Sequence, residues 1–400
     1  MIRLYVKLGM KEMIIFFAFL ILGLIGYWIY RSNQSPAEFE IMDELAGNIF
    51  PSSIISLATT DELVVIPSDS NYIGNPKSGI GIRLRSKSHN SRVRVEIAET
   101  PFSSHSISEF ILPKGRKIYT VYPEMVWKYD ALRNNQQATP MSIVATVTVD
   151  DRTSSLRVRT FSMRSINECM YGYYKVVDGK RGAFVNTPLF FAAYVNEDNP
   201  LIDKILREAL NTRLVNRFQG YQKDSTMVVR QVYALWNVLQ RRQFKYSSIS
   251  NSSLGSNVVF AQRVRTLEDA LSTSQINCVD GSVLFASLMR AVNIDPILVL
   301  MPGHMFVGFY TDKQHNHKLF LETSMIGNIN MDDYFPDEKL DSTLVGKSQN
   351  EMSRITFDSS LRYAADRYSS DSIQIDQQSP GYMFLEVSNE VRRKIQSIGR

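Results

Sequence analysis

The chain has 400 residues, of which 44% are hydrophobic, 11% aromatic and 21% charged. This composition is typical of a globular protein, and the length suits about two domains. The formal net charge of +5 is small for this length. The chain also has no long Lys/Arg run with interleaved aromatic residues, so a nucleic-acid partner is not expected.

The first element is an apolar segment near the N-terminus. Residues 13–30 read MIIFFAFLILGLIGYWIY, carry no charge and are long enough to span a bilayer as a helix. Three basic residues precede the segment and only Arg31 follows closely, which places the N-terminus in the cytoplasm and the rest of the chain on the periplasmic or extracellular side. A cleaved signal peptide is the alternative, but its apolar region is usually shorter. We therefore predict a single-pass membrane protein, with residues 1–35 as cytoplasmic N-terminus and transmembrane anchor.

The next region, residues 36–170, has the pattern of an all-β domain. Short runs rich in β-branched residues, beginning with SIISLATTDELVVIP at 53–67, are separated by Gly, Pro, Asn, Asp and Ser. In residues 93–97, VRVEI, apolar and charged side chains alternate as in a half-buried strand. Because no helical pattern separates the runs, we predict a β-sandwich. The Cys…Trp…Cys spacing of immunoglobulin domains is absent, so the strand topology stays open.

From residue 171 the pattern changes to helices followed by strands. Apolar side chains recur at helical spacing in residues 200–210, 225–241 and 265–271. Three apolar strands follow the last cysteine, at residues 296–301, 304–310 and 318–322. This order predicts an α+β domain over residues 171–345, followed by a polar C-terminal extension, residues 346–400, with helical pieces.

Residues 276–292, INCVDGSVLFASLMRAV, contain one of the two cysteines of the chain. Asn277 is a good N-cap residue and Asp280 completes a capping-box pattern, which puts Cys278 at the first helical position. The helix that follows is apolar nearly all round and is therefore expected to be buried. Its positive end favours the thiolate, which is the nucleophilic form of cysteine. Taken alone, the stretch fits a buried structural cysteine equally well.

A cysteine nucleophile needs a base, which is most often histidine. His304 follows Pro302-Gly303 and opens an apolar strand, one buried helix and one strand after Cys278. Glu322 ends the next apolar run, where a carboxylate is unusual unless it has a partner. If these two strands form a hairpin, Glu322 lies across from His304 and holds the imidazole.

The other histidines and the second cysteine give weaker signals. His315 and His317 form a His-x-His pair in a polar turn, but no Cys or acidic cluster accompanies them, so a metal site is not expected. No other cofactor is predicted. Cys169 lies far from Cys278 in sequence, and a disulfide between the two remains an open alternative in an exported protein.

The order and spacing of these residues resemble the transglutaminase-like (papain-like) superfamily. The matching stretches are TLEDAL at 266–271, NCVDGS at 277–282, LMRAVNIDP at 288–296, GHMFV at 303–307 and FLET at 320–323. The resemblance implies a papain-like α+β domain in which Cys278 attacks an amide carbonyl, His304 transfers the proton and Glu322 fixes the imidazole tautomer. Two positions depart from the family pattern. The acid is Glu where the family usually has Asp, and Asn277 replaces an acidic or glycine-rich lead-in.

The resemblance implies acyl transfer either to water, as in a protease or amidase, or to an amine, as in a transglutaminase. The backbone N–H of Cys278 is a natural donor to the oxyanion, and Gln275 and Tyr246 are polar candidates for the second donor. Our first hypothesis is a membrane-anchored cysteine hydrolase or acyltransferase of the cell envelope with a protein or peptide substrate. The second is a catalytically inactive envelope scaffold or assembly protein that uses the same fold for binding. The substrate and the oligomeric state stay open.

Overall fold

The computed structural model of the protein describes residues 10–34, 38–61, 70–153, 156–177, 180–247, 254–327 and 330–399. Within these residues the chain is mixed α+β with several sheets, so the predicted α+β class is confirmed. The first element is α1 (Met10–Gln34), in which side chains are described for residues 13, 15 and 17–27. Across the described parts of the chain, no helix meets the combined length and apolarity that a bilayer crossing requires. The anchor predicted at residues 13–30 is therefore unsupported by this finding and stays a prediction.

Short strands dominate the first half of the described chain. The elements after α1 are β1 (Phe39–Ile41), β2 (Asn48–Ile49), α2 (Pro51–Leu57), β3 (Tyr72–Gly74), β4 (Ile82–Arg85), β5 (Ser91–Ile97), β6 (Ser103–Ser104), β7 (Ser106–Leu112), β8 (Ile118–Tyr122), β9 (Val126–Trp127), α3 (Tyr129–Arg133), β10 (Thr139–Val149), β11 (Arg152–Thr153) and β12 (Arg157–Met163). The two main sheets have the strand orders β1-β4-β8-β3 and β2-β12-β10-β5-β7. Buried and exposed residues alternate along β5, as residues 93–97 predict, and both sheets contribute side chains to one hydrophobic core.

The strand predicted to begin the all-β region is wrong over the residues described there. Residues 51–57 form helix α2, and residues 62–67 of the predicted run lie outside the described residues. Pro51 occupies the first turn of α2, where its fixed φ favours a helix and its missing N–H has no effect on the hydrogen bonding. Ile54, Ile55 and Leu57 are buried in the core. The two β-branched isoleucines suggested a strand, but the proline at the helix start and the packing favour a helix.

The second half contains the helices and strands that carry the candidate site. Its elements are β13 (Glu168–Val177), β14 (Lys180–Asn186), α4 (Pro200–Asn211), α5 (Ser225–Arg241), β15 (Lys245–Tyr246), β16 (Val259–Arg263), α6 (Leu267–Thr273), β17 (Gln275–Ile276), α7 (Cys278–Ala291), β18 (Pro296–Met301), β19 (His304–Tyr310), β20 (Lys318–Leu321), α8 (Leu340–Leu344), α9 (Gln349–Asp376), β21 (Met383–Glu386) and α10 (Asn389–Lys394). The predicted helices α4, α5 and α6 and the three predicted strands β18, β19 and β20 are confirmed. β13 runs across the predicted boundary at residues 170 and 171.

Helix α7 is buried against a four-stranded sheet with the order β20-β19-β18-β21. Its residues from Cys278 to Met289 are all buried, as the apolar sequence predicts. The central pair β18–β19 is antiparallel, and β20 returns antiparallel to β19 to form the predicted hairpin. Helix α7, which begins at Cys278, thus packs on the sheet in which β19 and β20 are neighbours.

The C-terminal residues are part of this sheet and its packing. β21 pairs antiparallel with β18, with Leu385 opposite Leu298. The long helix α9 packs on β20, and Ser348 and Glu351 close a capping box at its start. Residues 346–400, predicted from their polarity to be an extension, thus contribute an edge strand and a covering helix to the sheet that holds His304.

Candidate active site

A capping box at the start of α7 positions Cys278. The side-chain oxygen of Asn277 accepts a hydrogen bond from the backbone N–H of Asp280 at 2.8 Å, and the Asp280 carboxylate accepts one from the backbone N–H of Asn277 at 3.0 Å. Both bonds were predicted from the three-residue spacing. Cys278 follows as the first residue of the helix and is only 3% exposed. The backbone N–H of Cys278 lies in the first turn of the helix, where N–H groups have no hydrogen-bond acceptor within the helix.

Asp280 also binds Arg265, a contact between two segments that sequence reasoning missed. The backbone N–H of Arg265 donates to one carboxylate oxygen at 2.7 Å, and its guanidinium forms a salt bridge to the other. The Asp280 side chain is fully buried and that of Arg265 is 10% exposed. Burial raises the pKa of Asp280, and the hydrogen bonds from Arg265 and Asn277 act in the opposite direction. The helix start is therefore fixed by a buried ion pair as well as by its cap.

A tight turn between β18 and β19 positions His304. Met301 pairs with His304 across a two-residue turn, Pro302-Gly303, and Gly303 has a φ of +76°. Glycine adopts this left-handed conformation without strain, and proline has the fixed φ that the preceding turn position requires. The imidazole Nε2 of His304 lies 2.6 Å from Oε2 of Glu322. The histidine and the acid chosen from the sequence thus meet directly.

Glu322 lies just beyond β20, and hydrogen bonds fix both its carboxylate and its backbone. Its Oε1 accepts hydrogen bonds from the backbone N–H and the hydroxyl of Ser324, at 3.0 and 2.6 Å. Its backbone N–H donates to the hydroxyl of Ser360 on α9, which in turn donates to the Glu322 carbonyl. The hydroxyl of Tyr334 donates to Ser324 at 2.9 Å. With Oε1 engaged in this way, Oε2 of the fully buried carboxylate is directed at His304.

The charge of His304 is set by its two partners. Burial lowers the pKa of His304, but hydrogen bonds with Cys278 and Glu322 and the charges of the same two groups raise it to about 10. Because Nε2 is bonded to Glu322, Nδ1 is the ring nitrogen that remains for Cys278. The imidazole therefore keeps its proton at neutral pH, and a positive charge beside a cysteine stabilises the thiolate.

We expect Glu322→Gln to lower the pKa of His304 by about one to three units, because the variant removes the negative charge that favours the imidazolium. His304 would then lose its proton well below pH 10, whereas the parent protein keeps it up to about that pH. The pKa is measured by NMR titration of histidine-labelled protein. Asp295→Asn is the matched control, since Asp295 pairs with His315 at 3.0 Å and the variant should leave the titration of His304 unchanged. Titration of His304 near its ordinary pKa in both proteins would contradict this account of the site.

Tyr246 is the second polar group at the sulfur of Cys278. β15 runs parallel to β17, and Tyr246 pairs with Ile276, two residues before Cys278. Burial raises the pKa of the Tyr246 hydroxyl, and the charge of Cys278 and a hydrogen bond to it raise it further. Tyr246 therefore stays neutral and can donate. Of the two polar residues considered from the sequence, Tyr246 interacts with Cys278, whose charge and hydrogen bond raise the pKa of the tyrosine, whereas Gln275 pairs with Lys245 one position away.

Both cysteines are free thiols, so the alternative of a Cys169–Cys278 disulfide is not what the structure contains. Cys169 lies on β13 and is fully buried, and this burial raises its pKa well above the ordinary value. Cys278, in contrast, lines a cleft together with His304. The two thiols thus have different surroundings, and only Cys278 has the histidine beside it.

His315 and His317, the candidates for a weak metal site, are held by carboxylates. His315 pairs with Asp295 at 3.0 Å and stacks on the ring of Tyr310, with centroids 3.8 Å apart. His317 pairs with Asp312 at 3.3 Å. Within the described residues, no group of three or more His, Cys, Asp or Glu side chains is arranged to hold a metal ion.

The cleft beside Cys278 and His304 has a volume of about 450 Å³. Four aromatic residues line it, Tyr171, Tyr174, Phe184 and Phe260, together with the turns Pro302-Gly303 and Pro380-Gly381. Sequence reasoning missed this cleft. The only available signal was the aromatic content of residues 171–184, which by itself is equally typical of a hydrophobic core.

Comparison with protein-family models, with curated proteins and with solved structures finds no match to this chain.

Proposed function

We propose that the protein is a transglutaminase-like cysteine hydrolase or acyltransferase that acts on peptide or protein amides through Cys278, His304 and Glu322. One observation carries the proposal. A cysteine at the positive end of a buried helix lines the same cleft as a histidine, and a buried carboxylate holds a ring nitrogen of that histidine at 2.6 Å. A nucleophile, a base and an orienting acid in this order form the arrangement used for acyl transfer on several unrelated folds.

Each group has a defined role in the proposed reaction. The Cys278 thiolate attacks the amide carbonyl, and the backbone N–H of Cys278 and the hydroxyl of Tyr246 donate to the oxyanion. His304 gives its proton to the leaving amine as the C–N bond breaks, which leaves a thioester on Cys278. The neutral imidazole then takes a proton from water or from an acceptor amine, which attacks the thioester and releases the thiolate. Glu322 keeps the ring nitrogen facing Cys278 throughout.

Glutamate in place of the usual aspartate is compatible with this role. The extra methylene is accommodated because Glu322 lies one residue past the end of β20, where it caps the short turn Thr323–Met325. From there its carboxylate reaches Nε2 of His304 at 2.6 Å, a short distance of the kind that charge-assisted hydrogen bonds have. The hydrogen bonds from Ser324 fix its direction, so the longer side chain does not introduce freedom at the contact.

The protein is further proposed to be membrane-anchored, with this site on the periplasmic or extracellular side. The support is the uncharged segment at residues 13–30 and the basic residues before it. Alkaline extraction of cell membranes tests the anchor. A chain that leaves the membrane fraction at high pH would contradict it.

Acyl capture tests the proposed chemistry without knowledge of the natural substrate. We expect p-nitrophenyl acetate to acetylate Cys278, seen by mass spectrometry as one acetyl group on the peptide that contains it. Cys278→Ser should lose this product, whereas Cys169→Ala, the control at the other free thiol, should keep it. Addition of an alkylamine then separates the two reaction types, since a transferase forms the N-acetylamine and a hydrolase forms acetate. Acetylation that persists without Cys278 would exclude the proposed nucleophile.

A catalytically inactive scaffold is the second candidate function. The observation that favours it is the burial of Cys278, whose exposure of 3% is that of a core residue. The same acyl-capture experiment decides between the two, because a scaffold has no reason to form a thioester faster than an ordinary buried thiol does.

A further inference from the structure

The cleft beside Cys278 has one wall made of aromatic rings. Tyr174, Phe184 and Phe260 come from three neighbouring strands, in the sheet order β14-β13-β16. Their ring centroids lie 5.0 to 5.9 Å apart, so the three rings contact one another and form a continuous apolar surface. Rings in mutual contact hold each other in place, which gives the wall a fixed shape before any ligand arrives.

Gly172 makes room for this wall. A Cβ atom at residue 172 would lie 2.3 Å from the tip of the Phe184 ring, which is closer than any real contact. The absence of a side chain in the middle of β13 therefore lets Phe184 lie across the strand. Glycine in a strand interior weakens the strand, so its presence indicates that another group must approach the backbone closely.

A second wall of the cleft is formed by two turns. Pro302-Gly303 joins β18 to β19, and Pro380-Gly381 precedes β21 on the other side of β18. A Cβ at Gly381 would lie 3.9 Å from Cγ of Pro302, so the two turns are neighbours. Prolines and glycines have no long side chains to fill the space between this wall and the rings. The cleft thus stays open next to Cys278 and His304.

The described residues that line the cleft include no Asp, Glu, Lys or Arg. Besides Cys278 and His304, Gln262 and two tyrosines supply polar side-chain atoms. Arg181 stacks on the Tyr174 ring, with Cζ 5.4 Å from the centroid, so an acidic ligand has to be tested separately. Polar atoms make up nearly half of the cleft surface, and the three rings in contact form a continuous apolar part of it. A cleft of this size with such a part can bury an apolar portion of a ligand.

We propose that this cleft binds a large apolar side chain, aromatic by preference, carried by the substrate next to the amide that Cys278 attacks. The proposal rests on the proposed function and adds a substrate class to it, namely peptides or proteins with an aromatic residue flanking the scissile or transferred amide. Burial of such a side chain against the rings strengthens binding, whereas a charged side chain would lose its hydration there without a partner.

Matched electrophiles measure this preference at Cys278. One series is N-acetyl aminoacyl chloromethyl ketones derived from Phe, Ala, Glu and Lys, which place the side chain on the acyl side. The other is iodoacetamide with N-phenethyl, N-ethyl or N-carboxyethyl groups, which places it on the amine side. The second-order rate constant of Cys278 alkylation is measured for each compound. We expect the phenyl compound to react about tenfold faster than its small counterpart in at least one series, as discrimination in hydrophobic pockets allows.

The ratio of phenyl to small-group rates in variants identifies the cleft, because it cancels changes in the reactivity of the thiol itself. The ratio should fall towards one in Phe184→Ala and also in Gly172→Ala, where the new methyl group displaces the Phe184 ring. Tyr129→Ala removes an exposed aromatic side chain on α3 and should keep the parental ratio. If a variant fails to fold, the ratio of the rates for the Phe and Ala compounds on the parent protein still tests the preference for an aromatic side chain.

The outcomes separate this proposal from the proposed function. Cys278 could react rapidly with the small compounds while the ratio of phenyl to small-group rates stays near one in both series. This result would overturn the proposed binding of an aromatic side chain but would still support Cys278 as the nucleophile. A preference for the acidic compounds also overturns it, in favour of recognition by Arg181. Slow alkylation of Cys278 by every compound would contradict its role as a nucleophile, and the proposed substrate class, which depends on that role, would also be overturned.

Discussion

At pH 7, iodoacetamide is expected to alkylate Cys278 up to about thirtyfold faster in the parent protein than in a His304→Ala variant, the limit set by the thiolate fraction of an unassisted thiol. The imidazolium of His304 persists up to about pH 10, so at pH 7 a positive charge faces the sulfur. An unassisted thiol is only about 3% ionised at pH 7, and the thiolate is the form that reacts. Removal of the histidine takes away this positive charge, and a positive charge next to a cysteine favours the reactive thiolate.

Three controls make this experiment specific. His304→Gln keeps a side chain of similar size without the imidazolium, and it should react as slowly as His304→Ala. His315→Ala removes a second histidine–carboxylate pair, the one with Asp295, and should leave the alkylation of Cys278 unchanged. Cys169 is an internal reference in every sample, because burial raises its pKa and it should react only when the protein unfolds. Equal alkylation rates for Cys278 in the parent and both His304 variants would show that the charge of His304 does not activate the thiol.

Local patterns in the sequence predicted the parts of this site that depend on short separations along the chain. Asn277 and Asp280 are three residues apart, so the capping box that positions Cys278 could be read directly. His304 and Glu322 were chosen because each stands at the end of an apolar run, and a hairpin is the simplest way to join two such runs. In each case one local rule sufficed, and no knowledge of distant segments was needed.

The parts that sequence reasoning missed depend on contacts between distant segments. Tyr246 reaches Cys278 only because β15 pairs in parallel with β17, and two-residue strands leave no periodic pattern to detect. Ser360 reaches Glu322 from α9, in a region whose polar sequence suggested a peripheral extension. Phe184 and Phe260 line the cleft from strands on either side of β13, and aromatic residues in strands are as typical of cores as of binding sites.

Another contact that sequence reasoning missed, Arg265 with Asp280, leads to the largest expected change in stability. We expect Asp280→Ala to lower the free energy of unfolding by about 3–5 kcal/mol, since loss of one partner of a buried ion pair leaves the other charge buried without compensation. The Asp280 side chain is fully buried and Arg265 is 10% exposed. The variant also leaves the backbone N–H groups of Asn277 and Arg265 without the oxygens that accept their hydrogen bonds.

Urea unfolding followed by tryptophan fluorescence measures this change close to α7. Trp236 is fully buried and its ring lies 5.9 Å from that of Phe285 on α7, so its emission follows the packing of this helix. Asp203→Ala is the matched control, because it breaks an Asp–Arg pair with Arg207 that is exposed to solvent and should change stability by less than about 0.5 kcal/mol. A loss for Asp280→Ala no larger than that for Asp203→Ala would mean that the ion pair does not hold the helix start. The position of Cys278 would then depend on the packing of α7 alone.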